Sequence, residues 1–317
     1  MRGEILLISI VLVTYNLRSY IEECLDSIMV NLDEDIELIV VDDGSCDGTL
    51  EILRTFSGKN VRVYSNEHLG LGNARNFGIS KVRGDYTIFV DGDDLLGTKI
   101  IQRLRRTVHL YTGVDVIQFG WESIDDDGQV LSVNQPRGID YSTIACWNKC
   151  YRTKVIKSIK FTENLLFEDL EFFVQSFTRM KNYVEISDVL YRHRQRPSGI
   201  TRRRLKTEER LQFVESLQIA LSNVNNTNNI QYALGRTIYR QICRIYQDCS
   251  IRDEGIIEGL NKASEVVRDN HLFVWNGTLS STYKGSLRSN IIFTCFYLKL
   301  HYLAKFVDSI TNKNKTY

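Results

Sequence analysis

The stretch YTIFVDGDDLLG, Tyr86 to Gly97, decides how the rest of the chain is read. It starts as a strand, Tyr86 to Val90, and then places three carboxylates, Asp91, Asp93 and Asp94, within four positions. Charges of one sign that close repel one another, and a turn needs at most one of them. Alternate residues of an extended strand point to one face, so Asp91 and Asp93 aim the same way. Gly92 between them leaves room for a ligand to approach. Hard divalent cations take carboxylate oxygens, and magnesium commonly binds one or two of them together with substrate phosphates. The same residues equally suit an acidic turn that caps the following helix. Taken alone, the stretch leaves both readings open.

Its neighbours narrow the choice. ILLISIVLVT (5–14) and IELIVVDDGS (36–45) contain continuous apolar runs, the pattern of strands buried on both faces. Between and after them, helical spacing appears in SYIEECLDSIMVNL, DGTLEILRTF, GLGNARNFGISKV and GTKIIQRLRRTVHLY. NVRVYSN and VDVIQFGWESI supply further strands. Strand and helix in alternation imply right-handed crossovers and a mostly parallel sheet. Ligands of such sheets sit beyond the carboxyl ends of the strands. Three strands end in polar groups there: Thr14-Tyr15-Asn16, Asp42-Asp43-Gly44-Ser45 and Asp91-Gly92-Asp93-Asp94.

The middle of the chain is less regular. SIDDDGQVLSV reads as a hairpin turning at Asp127-Gly128. LLFEDLEFFVQSFTRM reads as a helix whose start carries Glu168, Asp169 and Glu171. YVEISDVLYRHRQRPSGIT gives short strands and a basic loop, and IACWNKCYRTKVIKSIKF stays ambiguous. From about Leu205 helical periodicity dominates, with an asparagine-rich break at NVNNTNNI.

Bulk properties exclude several classes. The 317 residues carry a net charge of +1, with 43% hydrophobic and 25% charged residues, so no nucleic-acid footprint is expected. Seven cysteines without a CxxC pair fit reduced thiols better than a secreted disulfide framework. The apolar N-terminus breaks at a polar turn without a small-residue cleavage site, and reads as a buried first strand. No run reaches the length of a membrane span. The acidic DDGSCDG segment lacks the spacing and terminal Glu of an EF-hand. GLGNARN is not a GxGxxG dinucleotide fingerprint.

Taken together and in order, TYN, DDGS, GxGxARNxG and DGDD resemble the family-two glycosyltransferases of the nucleotide-diphospho-sugar (GT-A) fold, above all bacterial enzymes that build surface glycans. The resemblance is strong over roughly 8 to 112 and continues more weakly through CWNKCYR, FEDLEFF and YRHRQRPSGIT. It implies a GT-A catalytic domain over 1–204, with a nucleotide-sugar half (1–112) and an acceptor half (113–204), followed by a helical region over 205–317. It also implies roles for individual residues. Thr14, Tyr15 and Asp43 would contact the base, Asp43 at the uracil imide. Arg75 would approach the nucleotide. Asp91 would meet the ribose and share with Asp93 a Mn2+ or Mg2+ ion that bridges the diphosphate. Asp94 would support the turn. Asp169 would be the general base and Glu168 an acceptor-positioning group, although both also suit a helix N-terminus. Trp147 would stack on a sugar or simply pack in the core, and Lys149 would pair with phosphate or acceptor. Arg194, Arg196 and Ser198 would hold the diphosphate, and His193 would be a further metal ligand or part of a solvated basic loop.

The implied reaction is an inverting, metal-dependent transfer of a sugar from a nucleotide-diphosphate donor, a UDP-sugar by the resemblance, to a hydroxyl of a glycan or lipid-linked acceptor on the cytoplasmic side. The lysine-bearing tail from Arg288 reads as an amphipathic helix at the inner membrane face, or as a helix packed on the protein or in a homodimer interface. Two alternatives stand beside this reading. A nucleotidyltransferase would carry a glycine- and lysine-rich phosphate loop that VTYNLRSY lacks. A non-catalytic nucleotide-sugar-binding scaffold is disfavoured by the set Asp43, Asp91, Asp93 and Asp169.

Overall fold

The computed structural model of the protein describes residues 6–56, 58–196, 199, 205–222, 231–246 and 253–269. Ser198 and the tail lie outside them. The chain divides into two units. The first is Met1–Gly138, Ile144–Asn164 and Arg179–Arg203; the second is Ile139–Thr143, Leu165–Thr178 and Arg204–Tyr317.

The first unit opens as β1 (Ile8–Thr14), α1 (Ile21–Met29), β2 (Ile36–Asp42), α2 (Thr49–Thr55), β3 (Val61–Ser65), α3 (Leu71–Lys81) and β4 (Tyr86–Asp91). It continues as β5 (Leu95–Leu96), α4 (Ile100–Leu110), β6 (Val116–Ile124), β7 (Val130–Asn134), β8 (Lys149–Arg152), α5 (Thr153–Ile156) and β9 (Tyr183–Arg194). The strands form one sheet in the order β3-β2-β1-β4-β8-β6-β9-β5, with β7 paired on β6. β3, β2, β1 and β4 run parallel, and Ile8 faces Ile36 on one side and Tyr86 on the other.

Every residue of β1 and β2 is buried, as their unbroken apolar runs require. α1 buries Ile21, Cys24, Leu25 and Ile28, the i, i+3, i+4, i+7 stripe of an amphipathic helix. Each of the three aliphatic side chains, fully buried, stabilises by about 1.5–3 kcal/mol. α3 lies against β1 more closely than a side chain allows. A Cβ on Gly78 would stand 2.4 Å from Val11 Cγ1. That approach sinks Arg75, one turn earlier, to 1% exposure.

The 183–194 segment differs from the expected short strands. It is one twelve-residue strand, parallel to β6, with its register shifted around Gly120. There the Gly120 Cα comes so close to the Asp188 carbonyl that an added Cβ would lie 3.0 Å from it. The ambiguous 144–161 segment resolves into β8, antiparallel to both β4 and β6, and the short α5. The hairpin at Asp127-Gly128 forms as read, joining β6 and β7, with Gly128 at φ +78°.

The second unit holds a 3-10 turn (Ile139–Tyr141), α6 (Asp169–Arg179, all but its last residue), α7 (Thr207–Ser222), α8 (Gln231–Ile245) and α9 (Glu254–Asp269). The helical region read from the sequence is therefore present. Among the described residues no helix is long and apolar enough to cross a membrane.

Candidate active site

Beyond the carboxyl ends of β1, β2 and β4, backbone hydrogen bonds continue past the strands. Asp43 N–H donates to Thr14 O (2.9 Å), Asn66 N–H to Asp42 O (2.9 Å) and Gly92 N–H to Val13 O (2.9 Å). The three polar strand ends are thereby fixed side by side.

The first two ends are clamped together by side chains. Asn16, at φ +50°, donates its N–H to Ser45 Oγ (2.9 Å) and accepts from Cys46 N–H at Oδ1 (2.9 Å). Asp42 is fully buried and holds its own turn by accepting from Ser45 N–H (3.0 Å). Asp43 reaches in the other direction. Its carboxylate accepts from Leu69 N–H (3.0 Å) and Gly70 N–H (2.8 Å), and pairs with His68 Nδ1 (2.9 Å). Tyr15, 40% exposed, stacks on the His68 ring at 3.9 Å between centroids. The sequence reading missed His68. Its position two residues before the helix-opening glycine, facing a strand-end acid, was the available signal.

The DGDD segment shows how three carboxylates coexist. Each has a different partner. Asp91 Oδ1 accepts from the buried Arg75 guanidinium at 2.8 Å, and Arg75 also lies over the Phe161 ring. Asp91 Oδ2 has no hydrogen-bond partner among the described residues. Asp93 Oδ2 pairs with Arg196 Nε at 2.5 Å. Asp94, 1% exposed, accepts from Tyr191 Oη–H at 2.7 Å and Arg194 N–H at 2.7 Å. Burial, with the neighbouring charges of Asp93 and Asp91, pushes the Asp94 carboxyl well above the usual range. Burial also raises that of Asp93, against the pull of Arg196. Asp94 thus ties the turn after β4 to β9 instead of facing a ligand.

The packing around Gly92 differs from the expected room for a ligand. Gly92 does not leave space for a ligand: a Cβ there would meet Thr14 Cβ and Oγ1, each at 2.9 Å. Thr14 is 4% exposed, and its hydroxyl, beneath Gly92, has no hydrogen-bond partner among the described residues. Of the pair Thr14 and Tyr15, the tyrosine is the one that offers a surface.

The 192–196 segment carries cations of two kinds. Arg194 is 4% exposed and fully engaged: Nε donates to Asp93 O (3.0 Å), Nη1 to Asp126 O (2.9 Å) and Nη2 to Glu23 Oε2 (2.5 Å). Arg196 is more open and touches Asp93, with its guanidinium over the Tyr20 ring at 5.3 Å. His193 stacks on Trp147 at 4.9 Å, and its Nδ1 meets Gln195 Nε2 at 2.7 Å. Trp147, 8% exposed, also stacks on Tyr191. Lys149 is fully buried, its Nζ donating to Ala145 O (2.8 Å) and Asn148 Oδ1 (2.9 Å). Among the described residues no three His, Cys, Asp or Glu side chains converge to hold a metal by themselves. Asp91 and Asp93 nonetheless suit a hard cation that also binds phosphate. They bring carboxylate oxygens, one without a partner among the described residues and one already paired with a cationic guanidinium.

Asp169 opens α6 in the second unit and Glu168 directly precedes it, both half-buried. Phe167, just before them, sits at φ +69°, a conformation that a bulky residue rarely adopts.

A parallel half-sheet with its acids at the carboxyl edge, joined through the antiparallel β8 to β6 and β9 and followed by helices, fits the GT-A class of nucleotide-diphospho-sugar transferases. The family model for "Glycosyl transferase family 2" matches residues 9–167, and the chain belongs to that family. It is 29% identical over 245 residues to the "Uncharacterized glycosyltransferase EpsJ" of Bacillus subtilis, covering 68% of this chain and 70% of that protein. In structure it is similar to residues 1–349 of S. aureus TarS in complex with UDP-GlcNAc, with a TM-score of 0.75 at 19% identity. That match covers 97% of this chain and 92% of the other. A more distant likeness, TM-score 0.55 at 13% identity, is to the mannosyltransferase PcManGT of Pyrobaculum calidifontis in complex with GDP-Man and Mn2+. It covers 99% of this chain and 89% of that one.

Proposed function

We propose that this glycosyltransferase moves a sugar from UDP to a hydroxyl of a glycan or lipid-linked acceptor in bacterial surface polysaccharide synthesis, with inversion at the anomeric carbon. The observation that carries the reading is the shared edge. The Tyr15–Asp43 group and the Asp91–Asp93 pair stand on neighbouring strand ends, as the base and the diphosphate of one nucleotide require. The UDP-GlcNAc complex of TarS supports uridine as the base.

In this account Tyr15 offers an aromatic face to the base, and the Asp43 carboxylate reads its imide N–H. Arg75 holds Asp91 in place, which leaves the second Asp91 oxygen for the donor side. Asp91 and Asp93 would hold Mn2+ or Mg2+, which when bound supplies positive charge against the diphosphate as it departs. Arg196 is placed to add a further donor there. Asp169 takes the proton of the acceptor hydroxyl as that oxygen attacks, and Glu168 orients the acceptor. A single displacement needs one base, in contrast to the two carboxylates of a glycosidase. We place the reaction on the cytoplasmic side, where nucleotide sugars are made.

The test of the chemistry is Asp169→Asn. We expect it to keep UDP-sugar binding and lose transfer, read as UDP release in the presence of acceptor. Full transfer activity in that variant would remove Asp169 as the base.

A further inference from the structure

The two arginines at the end of β9 differ in a way that assigns them different jobs. Arg194 is tied down through every part of its guanidinium, to Asp93 O, Asp125 O, Asp126 O and Glu23. The Arg196 side chain has a single hydrogen-bonded partner among the described residues, Asp93 Oδ2, reached through Nε alone. Its two terminal nitrogens are unspent, and the Tyr20 ring supports the flat guanidinium at 5.3 Å. Its side chain is 21% exposed, against 2% for Arg194.

We propose that Arg196 is the resident counter-ion of Asp93 in the nucleotide-free protein, and that it yields this carboxylate to a divalent cation only when a diphosphate arrives to receive its guanidinium. This rests on reading Asp91 and Asp93 as the metal and diphosphate site. The physical reason is competition: the guanidinium charge on Asp93 Oδ2 offsets the negative charge that would draw a divalent cation and repels that cation at close range. The guanidinium fork suits phosphate oxygens bidentately, so the displaced side chain gains a partner of matching geometry. Tyr20 lies under both Arg194 and Arg196, which gives the moving side chain a fixed surface to turn on. Arg196 is thus a positioning residue that couples metal binding to nucleotide binding. The nucleotide-free protein should bind the metal weakly, and the nucleotide complex strongly.

The experiment is a Mn2+ titration of the full chain followed by electron paramagnetic resonance, with and without UDP. It compares wild type with Arg196→Ala, Arg196→Lys, Asp93→Asn and the Asp93→Asn, Arg196→Ala double variant, each checked by thermal melting. Without UDP, Arg196→Ala should bind Mn2+ tighter than wild type by about tenfold or more, the scale of a charge-assisted hydrogen bond removed. The same variant, loaded with Mn2+, should bind UDP more weakly than wild type. Arg196→Lys keeps the charge and should stay within about threefold of wild type for Mn2+ alone. If Arg196→Ala leaves the affinity for Mn2+ alone unchanged or weaker while Asp93→Asn abolishes it, the counter-ion role is wrong and the metal site stands. If Asp93→Asn in the Arg196→Ala background leaves Mn2+ binding intact, the metal is not at Asp93, and the site reading falls together with this inference.

Discussion

Tyr191→Phe tests how the acidic turn after β4 is held. Tyr191 is 1% exposed, and its ring stacks on Trp147 at 4.8 Å. Phenylalanine keeps that ring and its packing, so only the hydroxyl is removed. The hydroxyl donates to Asp94 Oδ2 (2.7 Å) and accepts from Asp91 N–H (3.2 Å). Its loss deprives a buried carboxyl of one of two donors and leaves a backbone N–H without its acceptor. A hydrogen bond to a charged group contributes about 1.5–3 kcal/mol, and an orphaned buried donor costs about 1–3 kcal/mol. The two do not add fully, because Asp94 can relax by holding a proton, which its burial already favours. The expected destabilisation is about 2–3 kcal/mol. Urea unfolding followed by tryptophan fluorescence reads it, since Trp147 stacks on the altered ring. The thermal midpoint should fall by roughly 4–12 °C. Asp94→Asn and the double variant complete a cycle, with a coupling of about 1 kcal/mol or more between the two sites. A loss under about 0.5 kcal/mol with no coupling would refute the claim that this contact anchors the turn.

Three further outcomes follow from contacts at the same edge. Gly92→Ala drives a methyl against Thr14 and should cost about 1–3 kcal/mol, with partial recovery in the Thr14→Ala, Gly92→Ala double variant, read by thermal melting. Asp43→Ala removes the acceptor of the Leu69 and Gly70 amides, and hydrogen exchange at those two positions should speed up by about tenfold or more. Tyr15→Ala removes the exposed ring that stacks on His68, and UDP affinity measured by calorimetry should fall by about threefold to tenfold.

Much of the first unit was legible because burial on both faces leaves an unbroken apolar run. Ile8–Thr14 and Ile36–Asp42 could hardly be anything but central strands, and the polar residues at their ends marked the candidate edge. The side-chain work of that edge was less legible. Gly92 looked like ligand space, yet it is the room Thr14 needs, which depends on how tightly β1 and β4 pair. Arg194 and Arg196 are two residues apart and identical in type; only the packing of β9 reveals that one is locked and the other tethered once. Trp147 and Lys149 carried sugar- and phosphate-binding expectations because polar and aromatic residues are ambiguous in sequence. Both are buried here, the one in an aromatic stack and the other in hydrogen bonds. β9 escaped reading as one strand because its polar residues interrupt the apolar pattern, and its pairing shifts register at Gly120.

On the proposed function, Asp91 and Asp93 hold a metal-bridged nucleoside diphosphate. Calorimetric titration of UDP, with Mn2+ and with a chelator, into wild type and Asp93→Ala tests it most directly. The account predicts binding to wild type with Mn2+, and its loss both on chelation and in Asp93→Ala. Equal UDP affinity in all of these conditions would contradict it.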